Sequence, residues 1–222
     1  MVDQVATEGS DRRRPITESA ADLRGLLSGL PQDVAPSLLG WLLTRRAADG
    51  DVTVELTEVE AYAGTSDPAS HAFRGPTRRN AVMFGPAGHL YVYRSHGIHW
   101  CCNVVTGPEG DASAVLLRAG RVVEGTALAR VRRGERVADR SLARGPGCLG
   151  QALGLSGQHD GSDLLGSGAL TLTPPATHTP WQVSTGPRVG VSRASDVRWR
   201  YWLVGDPTVS SYRRSSRAAL TT

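Results

Sequence analysis

The sequence is organised around one stretch, Asp51-Val52-Thr53-Val54-Glu55-Leu56-Thr57-Glu58-Val59-Glu60-Ala61-Tyr62-Ala63, in which apolar and polar residues alternate. Successive side chains of a β-strand point to opposite faces, so Val52, Val54 and Leu56 share one face of a strand predicted over 52–61. The preceding dipeptide Asp49-Gly50 is typical of a tight hairpin turn. The stretch therefore predicts a strand in a hairpin-connected sheet.

Two glutamates continue this strand and give the first indication of a functional site. If the alternation runs on without a bulge, Glu58, Glu60 and Tyr62 lie on the same inward, apolar face. A carboxylate in that position must be paired or must line a cleft, because burying an unpaired charge costs too much free energy. The pattern alone leaves three interpretations open: a salt-bridged structural glutamate, a bulge that shifts the register, or a functional glutamate in a cleft.

The rest of the chain contains further predicted strands and helices. Strands are predicted at 88–94, 99–106, 113–119, 169–173 and 199–204, and helices at 18–29, 33–44 (with Asp33 as a candidate cap), 121–133 and around 147–154, followed by a loop at 155–168. No internal repeat or linker divides the chain, so the pattern predicts one mixed α/β domain over residues 16–208. The basic residues 1–15 and residues 209–222 are predicted to be tails.

Composition excludes several mechanisms. All 25 basic residues are arginine, and with 21 acidic residues the net charge is +4. Without lysine the chain can form no lysine Schiff base and has no P-loop lysine, while mild basicity permits a polyanionic partner. Three cysteines make no disulfide framework, the N-terminus resembles no signal peptide, and no apolar stretch approaches the ~20 residues of a membrane span. We therefore expect a soluble cytoplasmic protein that does not associate with membranes.

Several polar or aromatic side chains fall on faces of the predicted strands. Tyr91 and Tyr93 share one face of the strand at 88–94. Asn103 and Arg118 each follow apolar residues on one face of their own strand. Taken singly, each of these side chains is explained as well by packing or by a satisfied hydrogen bond as by a function.

Four side chains of metal-binding type stand close together in the sequence, namely His96, His99, Cys101 and Cys102. Adjacent cysteines on a strand point to opposite faces, and the chain contains no Cys-x2-Cys pair. The sequence therefore disfavours a metal site. It also lacks the signature motifs of dinucleotide-binding enzymes, P-loop enzymes, Gly-x-Ser-x-Gly hydrolases, zinc peptidases and zinc deaminases.

A series of motifs runs in order from about residue 32 to about residue 205. They are Glu58-Val59-Glu60-Ala61-Tyr62, Ser70-His71, Thr77-Arg78-Arg79-Asn80-Ala81-Val82-Met83-Phe84, Gly88-His89-Leu90-Tyr91-Val92-Tyr93, His96-Gly97-Ile98, Asn103, Ala114-Val115-Leu116-Leu117-Arg118-Ala119, Gly145-Pro146-Gly147 before Leu149, and Arg188-Val189-Gly190-Val191. Together they resemble the alkyladenine (3-methyladenine) DNA glycosylase family. The resemblance implies an α+β fold, a single domain with a curved, mainly antiparallel β-sheet surrounded by α-helices.

The resemblance also implies a reaction, in which a damaged purine is flipped out of duplex DNA and its N-glycosidic bond is hydrolysed. Glu60 is similar to the family's glutamate that positions and deprotonates the water, and Arg118 to the arginine that helps to hold it. This hydrolysis needs no metal and no organic cofactor. Because the chain has no lysine to form an imine, we expect an abasic site as the product.

The resemblance further assigns residues that bind the base and the DNA. The expected base-pocket residues are Tyr62, His71, Tyr93, Ile98 and Asn103. Within this set, Asn103 is expected to crowd the exocyclic amino group of guanine. His96 stands at the position of the residue that intercalates into the duplex, where many relatives have tyrosine. Cys148 stands where the family usually has lysine, so any phosphate contact of that lysine must be absent or made by an arginine.

Two other functions remain open on the sequence. A retaining glycosidase or nucleoside hydrolase would use Glu58 and Glu60 as a carboxylate pair, although two residues on one strand face point the same way rather than flanking a bond. A nucleic-acid-binding module without catalysis would use the tyrosines only to stack bases. The glycosylase hypothesis predicts double-stranded DNA with damaged purines as the partner, a monomeric protein, and a cytoplasmic, nucleoid-associated location.

Overall fold

One antiparallel sheet organises residues 19–177 and 179–218, the part of the chain that the computed structural model describes. Its nine strands are β1 (Leu42–Arg45), β2 (Val52–Ala63), β3 (Leu90–Ser95), β4 (His99–Thr106), β5 (Ser113–Glu124), β6 (Ala143–Arg144), β7 (Leu170–Thr173), β8 (Val183–Gly186) and β9 (Arg200–Leu203). The strand order is β3-β4-β5-β2-β1-β7, with β6 paired to β5, β9 paired to β2 and β8 paired to β9. The predicted tail at residues 1–15 lies outside the described residues.

Helices complete the fold and confirm the predicted mixed α+β class. The α-helices among the described residues are α1 (Ala20–Leu27), α2 (Pro31–Ser37), α3 (Thr126–Arg133) and α4 (Pro146–Leu153). Short 3-10 turns occur at Gly64–Ser66, Ala81–Phe84, Asp139–Ser141 and Gly157–His159. Over residues 19–177 and 179–218, no helix has the length and apolar character needed to cross a membrane.

The sheet branches at β2. The first half of β2 pairs with β1, the second half pairs with β9 along the same edge, and β5 pairs along the other edge. Register shifts between Leu56 and Glu58 and between Glu58 and Val59 mark a bulge at the branch. A β-bulge inserts an extra residue, which bends the strand and reverses the alternation of its side chains.

The bulge decides which residues of β2 face the main core. The core positions are even-numbered before the bulge and odd-numbered after it: Val52, Val54 and Leu56, then Val59 and Ala61. Glu58, Glu60 and Tyr62 therefore lie on the opposite face from Val52, and the expectation of a single inward face without a bulge is wrong. The bulge, one of the three open interpretations, is therefore present in this strand.

The two faces of the sheet carry different apolar clusters. The main core includes the buried residues of α1, α2 and α4 together with one face of the central strands. A smaller cluster lies on the other face and consists of Ala72, Met83, Tyr91, Val105, Ala112 and Ala114. The second face is thus only partly filled by apolar side chains, which leaves room for a cavity.

The helix predicted at 33–44 is wrong over its second half. The helix α2 begins after the cap position Leu30 and ends at Ser37, so Asp33 lies in its first turn rather than at its cap. Gly40 adopts a φ of +83°, and the chain then enters β1 at Leu42. The stripe of apolar residues that indicated a helix is buried, but it belongs to a helix end, a turn and a strand.

The boundary between β5 and α3 also differs from the prediction of a helix over 121–133. The strand β5 continues to Glu124, because β2 and β5 stay paired that far, and α3 begins only at Thr126. Gly125 separates them with a φ of +73°, and a Cβ at this glycine would lie 2.1 Å from the carbonyl oxygen of Asp51. The short strands β6 and β8 were not predicted, since neither has an extended alternating pattern.

Candidate active site

A cavity of about 470 Å³ opens on the face of the sheet opposite the main core. Neighbouring strands supply its floor, because residues directly opposite each other in an antiparallel pair point to the same side. Tyr91 stands opposite Asn103, Asn103 opposite Leu116, and Leu116 opposite Glu60. The first three line the cavity, whereas Glu60 is fully buried next to the lining residue Tyr62. The register of four strands thus assembles the site.

Hydrogen-bond donors hold both carboxylate oxygens of Glu60. Its Oε1 accepts the backbone N–H of Val189 at 2.7 Å and lies 3.3 Å from Nη1 of Arg118. Its Oε2 accepts the hydroxyl of Tyr62 at 2.9 Å. A buried carboxylate is tolerated only when such donors replace its water. The result is one carboxylate with a fixed orientation beside the cavity.

The second glutamate of β2, Glu58, is part of a closed ion-pair network. It accepts from Nε of Arg118 at 2.9 Å, from Nε of Arg200 at 2.6 Å and from the backbone N–H of Ser210 at 2.7 Å. Burial acts to raise the pKa of Glu58, but the charges of Arg118 and then Arg200 outweigh it and keep this pKa below its ordinary value. Glu58 is therefore the salt-bridged structural glutamate.

Arg118 connects the two glutamates. Burial opposes its charge, but Glu60 and then Glu58 raise the pKa of Arg118 above its ordinary value. The guanidinium consequently stays charged, and its side chain lines the cavity. The structure brings together Glu60 and Arg118, the two residues predicted to act in catalysis.

Arg188, from the C-terminal half of the chain, packs against the ring of Tyr62. The guanidinium of Arg188 lies 4.6 Å from the centre of the Tyr62 ring, and Arg188 also donates to the carbonyl of Ala61 and forms a buried ion pair with Asp67. Burial and the adjacent charge of Glu60 raise the pKa of Tyr62 well above its ordinary value. The hydroxyl therefore stays protonated and can donate to Glu60.

Aromatic side chains form one wall of the cavity. The ring of His71 meets the ring of Tyr93 edge-on at 4.5 Å, and Tyr93 stacks on Tyr91 at 5.7 Å. The hydroxyl of Tyr91 lies 3.3 Å from Nδ1 of His71. Partial burial and the positive charge of Arg79 lower the pKa of His71, which favours the neutral imidazole. A neutral imidazole offers one donor and one acceptor to a ligand.

The loop that presents His71 is fixed by one buried amide. Asn80 donates through Nδ2 to the carbonyls of His71 and Gly75 at 3.1 Å each, and its Oδ1 accepts the backbone N–H of Thr77 at 2.6 Å. These three bonds close the chain between residues 71 and 80 into a compact turn. Asn80 therefore determines where the imidazole stands without touching the cavity itself.

The predicted pocket amide is also fixed by the backbone. Asn103 is 5% exposed, lines the cavity and donates through Nδ2 to the carbonyl of Tyr91 at 3.2 Å. Cys101, two residues earlier on the same face of β4, also lines the cavity. Asn103 thus presents its side chain to the cavity from the centre of a strand pair, where it has little freedom to move.

The β3–β4 hairpin places the two remaining predicted residues differently. His96 is exposed at the hairpin tip, where it adopts a φ of +49° and lines the mouth of the cavity. Ile98 is 67% exposed and is not among the residues that line the cavity. The structure therefore brings His96 to the site but does not bring Ile98 into the pocket.

The adjacent cysteines point to opposite faces, as predicted from their strand position: Cys101 lines the cavity and Cys102 is buried in the main core. Within residues 19–177 and 179–218, no three His, Cys, Asp or Glu side chains are grouped closely enough to hold a metal ion.

Cys148, in the first turn of α4, accepts a hydrogen bond from Arg133 at 3.0 Å. An arginine therefore stands next to the position where the family usually has lysine.

Several residues of the site were not predicted from the sequence. Arg188 and Val189 belong to a motif that was noted without a role, and Arg79 to another. Arg200 and Ser210 carry no sequence signal, because an arginine on a strand and a serine in an irregular segment are common surface residues. Their contacts with Glu58 depend on chain segments that are 142 and 152 residues apart.

The arrangement suits one kind of chemistry. A carboxylate held by Arg118 and Tyr62 beside an aromatic cavity can stabilise positive charge that develops on a bound molecule, and it can accept a proton from a water. The aromatic wall can stack a planar ring system. Glu58 cannot act as the second carboxylate of a pair, since hydrogen bonds from Arg118, Arg200 and Ser210 take up the roughly four acceptor sites of a carboxylate. Among the described residues, by contrast, Oε2 of Glu60 accepts only the Tyr62 hydroxyl and keeps one acceptor site free.

Comparison with known proteins agrees with this chemistry. A family model described as Methylpurine-DNA glycosylase (MPG) matches residues 26–207. A protein of Streptomyces avermitilis named as a 3-methyladenine DNA glycosylase is 53% identical over 184 residues, which are 82% of this chain and 86% of the relative. A protein of Cutibacterium acnes with the same name is 51% identical over 193 residues, which are 84% of this chain and 98% of the relative.

Proposed function

This chain belongs to the methylpurine-DNA glycosylase family and is a DNA glycosylase. From this premise we propose that it removes damaged purines from duplex DNA by base flipping and glutamate-assisted hydrolysis. The observation that carries the proposal is Glu60, a buried carboxylate with both oxygens held by donors, beside a cavity with an aromatic wall. The product is an abasic site, because the chain has no lysine that could form an imine and cleave the strand.

The cavity receives the flipped base. A base inside a duplex hides its sugar carbon, so the nucleotide must be extruded at a cost of a few kcal/mol. Stacking on aromatic side chains is worth about 1–3 kcal/mol per base and offsets much of that cost. Tyr62, Tyr93 and His71 all line the cavity and supply this stacking. An alkylated purine carries positive charge, which adds a favourable interaction with electron-rich tyrosine faces.

Glu60 and Arg118 then carry out the hydrolysis. The bond between the sugar carbon and the base nitrogen breaks, and positive charge develops on the sugar, where the Glu60 carboxylate stabilises it. A water held by Glu60 and Arg118 attacks the sugar carbon and gives a proton to the carboxylate. The departing base takes the electrons of the broken bond, so an alkylated, cationic purine leaves as a neutral molecule. A neutral purine such as hypoxanthine must in addition take up a proton from solvent water as it leaves.

Asn103 accounts for discrimination against undamaged guanine, and His96 accounts for filling the gap that the flipped base leaves in the duplex. Asn103 is fixed at the cavity floor by its bond to Tyr91, and it crowds the exocyclic amino group of guanine. Undamaged guanine is then rejected, whereas the weakened glycosidic bond of cationic 7-methylguanine offsets the same crowding. His96, exposed at the hairpin tip beside the cavity mouth, fills the gap that the extruded base leaves. Ile98 is exposed on the same hairpin, so we now assign it to the DNA-facing surface rather than to the pocket.

The substrate class we propose is a damaged purine in duplex DNA of the 3-methyladenine, 7-methylguanine, hypoxanthine or ethenoadenine type, removed in the first step of base excision repair. The protein acts as a monomer on chromosomal DNA in the cytoplasm. Its net charge of +4 is consistent with a polyanionic partner.

Base release from a panel of duplexes, each with a single lesion, tests this function. The full chain should release at least one of the four bases from duplex DNA and leave an alkali-sensitive abasic site. The same bases offered as free nucleosides should stay intact. Binding to all lesion duplexes without release would identify a binding module, and cleavage of the free nucleosides would identify a nucleoside hydrolase; either outcome would overturn the proposal.

A further inference from the structure

The chain that follows β9 turns back and lies against the side of the candidate active site. We call residues 206–213 the C-terminal strap. Its first turn is fixed at Asp206, which accepts from Thr208 and Arg121, and at Thr208, whose hydroxyl lies 2.7 Å from that of the buried Thr57. The family model ends at residue 207, so most of the strap lies beyond the matched region.

Ser210 is the centre of the strap. Its backbone N–H donates to Oε2 of Glu58 at 2.7 Å, and its hydroxyl donates to Oε1 of the same carboxylate at 2.9 Å. Its carbonyl accepts from Arg200 at 2.7 Å, and its hydroxyl oxygen lies 3.3 Å from Nη2 of Arg118. One serine therefore contacts every charged member of the network around Glu58.

These contacts determine the orientation of Arg118. Glu58 holds Nε at 2.9 Å and Ser210 holds Nη2 at 3.3 Å, which leaves Nη1 directed at Glu60, 3.3 Å away. A guanidinium is planar, so fixing two of its three nitrogens fixes the third. Ser210 is not itself a lining residue of the cavity, and its influence on the cavity and on Glu60 passes through Arg118 and Glu58.

The strap also supports the other side of Glu60. The carbonyl of Arg213 accepts the backbone N–H of Gly190 at 2.9 Å. Gly190 follows Val189, whose N–H donates to Oε1 of Glu60 at 2.7 Å. The same short segment thus bonds to Arg118, one partner of Oε1, and to Gly190, the residue that follows the other partner, Val189.

We infer that the C-terminal strap holds the Arg118–Glu60 pair in its working geometry and that Ser210 is a positioning residue of the reaction. The inference rests on the proposed function, in which Glu60 and Arg118 hold the attacking water. Small displacements of a catalytic group reduce rates strongly, whereas binding of the flipped base depends on the aromatic wall. Loss of the Ser210 hydroxyl should therefore slow base release without weakening lesion binding.

Single-turnover base release by the full chain tests the inference, with Ser210→Ala and Ser210→Thr as variants and Ser211→Ala as the matched control on an exposed neighbour. Ser210→Ala keeps the backbone bond to Glu58 and so retains the fold, which the thermal midpoint verifies. We expect Ser210→Ala to be about tenfold slower, as the loss of a hydrogen bond to charged groups implies. We expect Ser210→Thr, which keeps a hydroxyl, and Ser211→Ala to match the parent. The Kd for lesion DNA should be the same in all four proteins.

A double-mutant cycle with Arg118→Gln separates positioning from a general structural role. If Ser210 acts through Arg118, adding Ser210→Ala to Arg118→Gln causes no further loss. A parent-like rate in Ser210→Ala, a loss that Ser210→Thr does not restore, or a further tenfold loss in the Arg118→Gln background would overturn the inference. A parent-like rate in Arg118→Gln itself would overturn the proposed role of Arg118, and this outcome is distinguishable because it does not depend on Ser210.

Discussion

Glu58 and Glu60 are two residues apart on one strand, yet their surroundings differ. Glu58 lies at the bulge, and two arginines and a serine close it off from the cavity. Glu60 lies two residues further along β2. Tyr62, Val189 and Arg118 hold it beside the cavity. Both are fully buried, so burial alone does not separate a structural carboxylate from a catalytic one. The hydrogen-bond donors around each carboxylate, and its position relative to the cavity, distinguish the two glutamates.

The comparison shows how one arginine can serve both purposes. Arg118 gives Nε to Glu58 and directs Nη1 to Glu60. The contact with Glu58 fixes the orientation of the guanidinium, and the contact with Glu60 places its charge beside the second carboxylate. Substitution of Glu60 should therefore reduce mainly the rate of base release, whereas substitution of Glu58 should reduce the stability of the fold and, through Arg118, also the rate.

The largest effect should follow from Glu60→Gln. Glutamine keeps the shape but cannot stabilise positive charge or accept the proton, so we expect single-turnover base release at least about 1000-fold slower. Binding to lesion DNA should stay close to that of the parent, as a gel-shift titration will show. Glu55→Gln, an earlier position on the same strand whose partner is Arg121, is the matched control and should react at the parent rate. A near-normal rate in Glu60→Gln would contradict the assignment.

Glu58→Gln should act on stability. Removing Glu58 takes away the counter-charge of Arg200 and one of the two counter-charges of Arg118, and we expect the free energy of unfolding to fall by about 3 kcal/mol near neutral pH. Urea denaturation measures this loss, and Glu55→Gln is again the control. An unchanged urea midpoint would mean that the network around Glu58 contributes nothing to the fold.

The same variant should change the pH dependence of stability. The pKa of Glu58 is lowered in the folded chain, so its contribution is present above the ordinary value of 4.5 and is lost as the pH falls below it toward the folded value. Glutamine does not titrate, and the Glu58→Gln curve should lose less stability than the parent between about pH 5 and pH 3. Parallel curves for the two proteins would contradict this expectation.

A smaller effect is expected at the cavity floor. Asn103→Ser shortens a side chain that is fixed against Tyr91 and leaves room for the amino group of guanine. We expect release of undamaged guanine to rise about tenfold over the parent, which corresponds to about 1.4 kcal/mol of lost discrimination. Release is measured on a duplex without lesions, with Thr106→Ser, on the same strand β4, as the control. Guanine release at the parent level in Asn103→Ser would count against the exclusion role.

The smallest effect should occur at the hairpin tip, measured in the Glu60→Gln background so that no turnover takes place. His96→Ala should weaken lesion binding about fivefold, because it removes about 1 kcal/mol of stacking in the duplex gap. His96→Tyr should retain affinity, since a phenol ring can also stack in the gap. If His96→Ala binds as tightly as its parent, another residue fills the gap.

Much of the fold could be predicted because β-sheet patterns are local. The alternation in β2 and the turn before it indicated the central strand, and Tyr91 and Tyr93 were placed correctly on one face. The helix predicted at 33–44 failed because a stripe of buried apolar residues looks the same in a helix end followed by a strand. The boundary of β5 failed because pairing with β2 extends the strand beyond its own pattern.

The sequence by itself determined the chemistry that this protein could have. The absence of lysine, the order of the glutamates, tyrosines, Asn103 and Arg118, and the family motifs are all properties of the linear chain. Each can be read without knowing which residues touch, because composition and short motifs do not depend on long-range contacts.

Only the tertiary structure decided which glutamate lies beside the cavity and which is enclosed by arginines. The bulge in β2 turns Glu58 and Glu60 away from the main core, and Arg200 and Ser210, more than 140 residues further along the chain, then close off Glu58. A carboxylate becomes structural or reactive according to the donors around it, and folding brings those donors from distant parts of the sequence. No local pattern encodes such contacts, so the separation of the two roles arises only when the sheet is assembled.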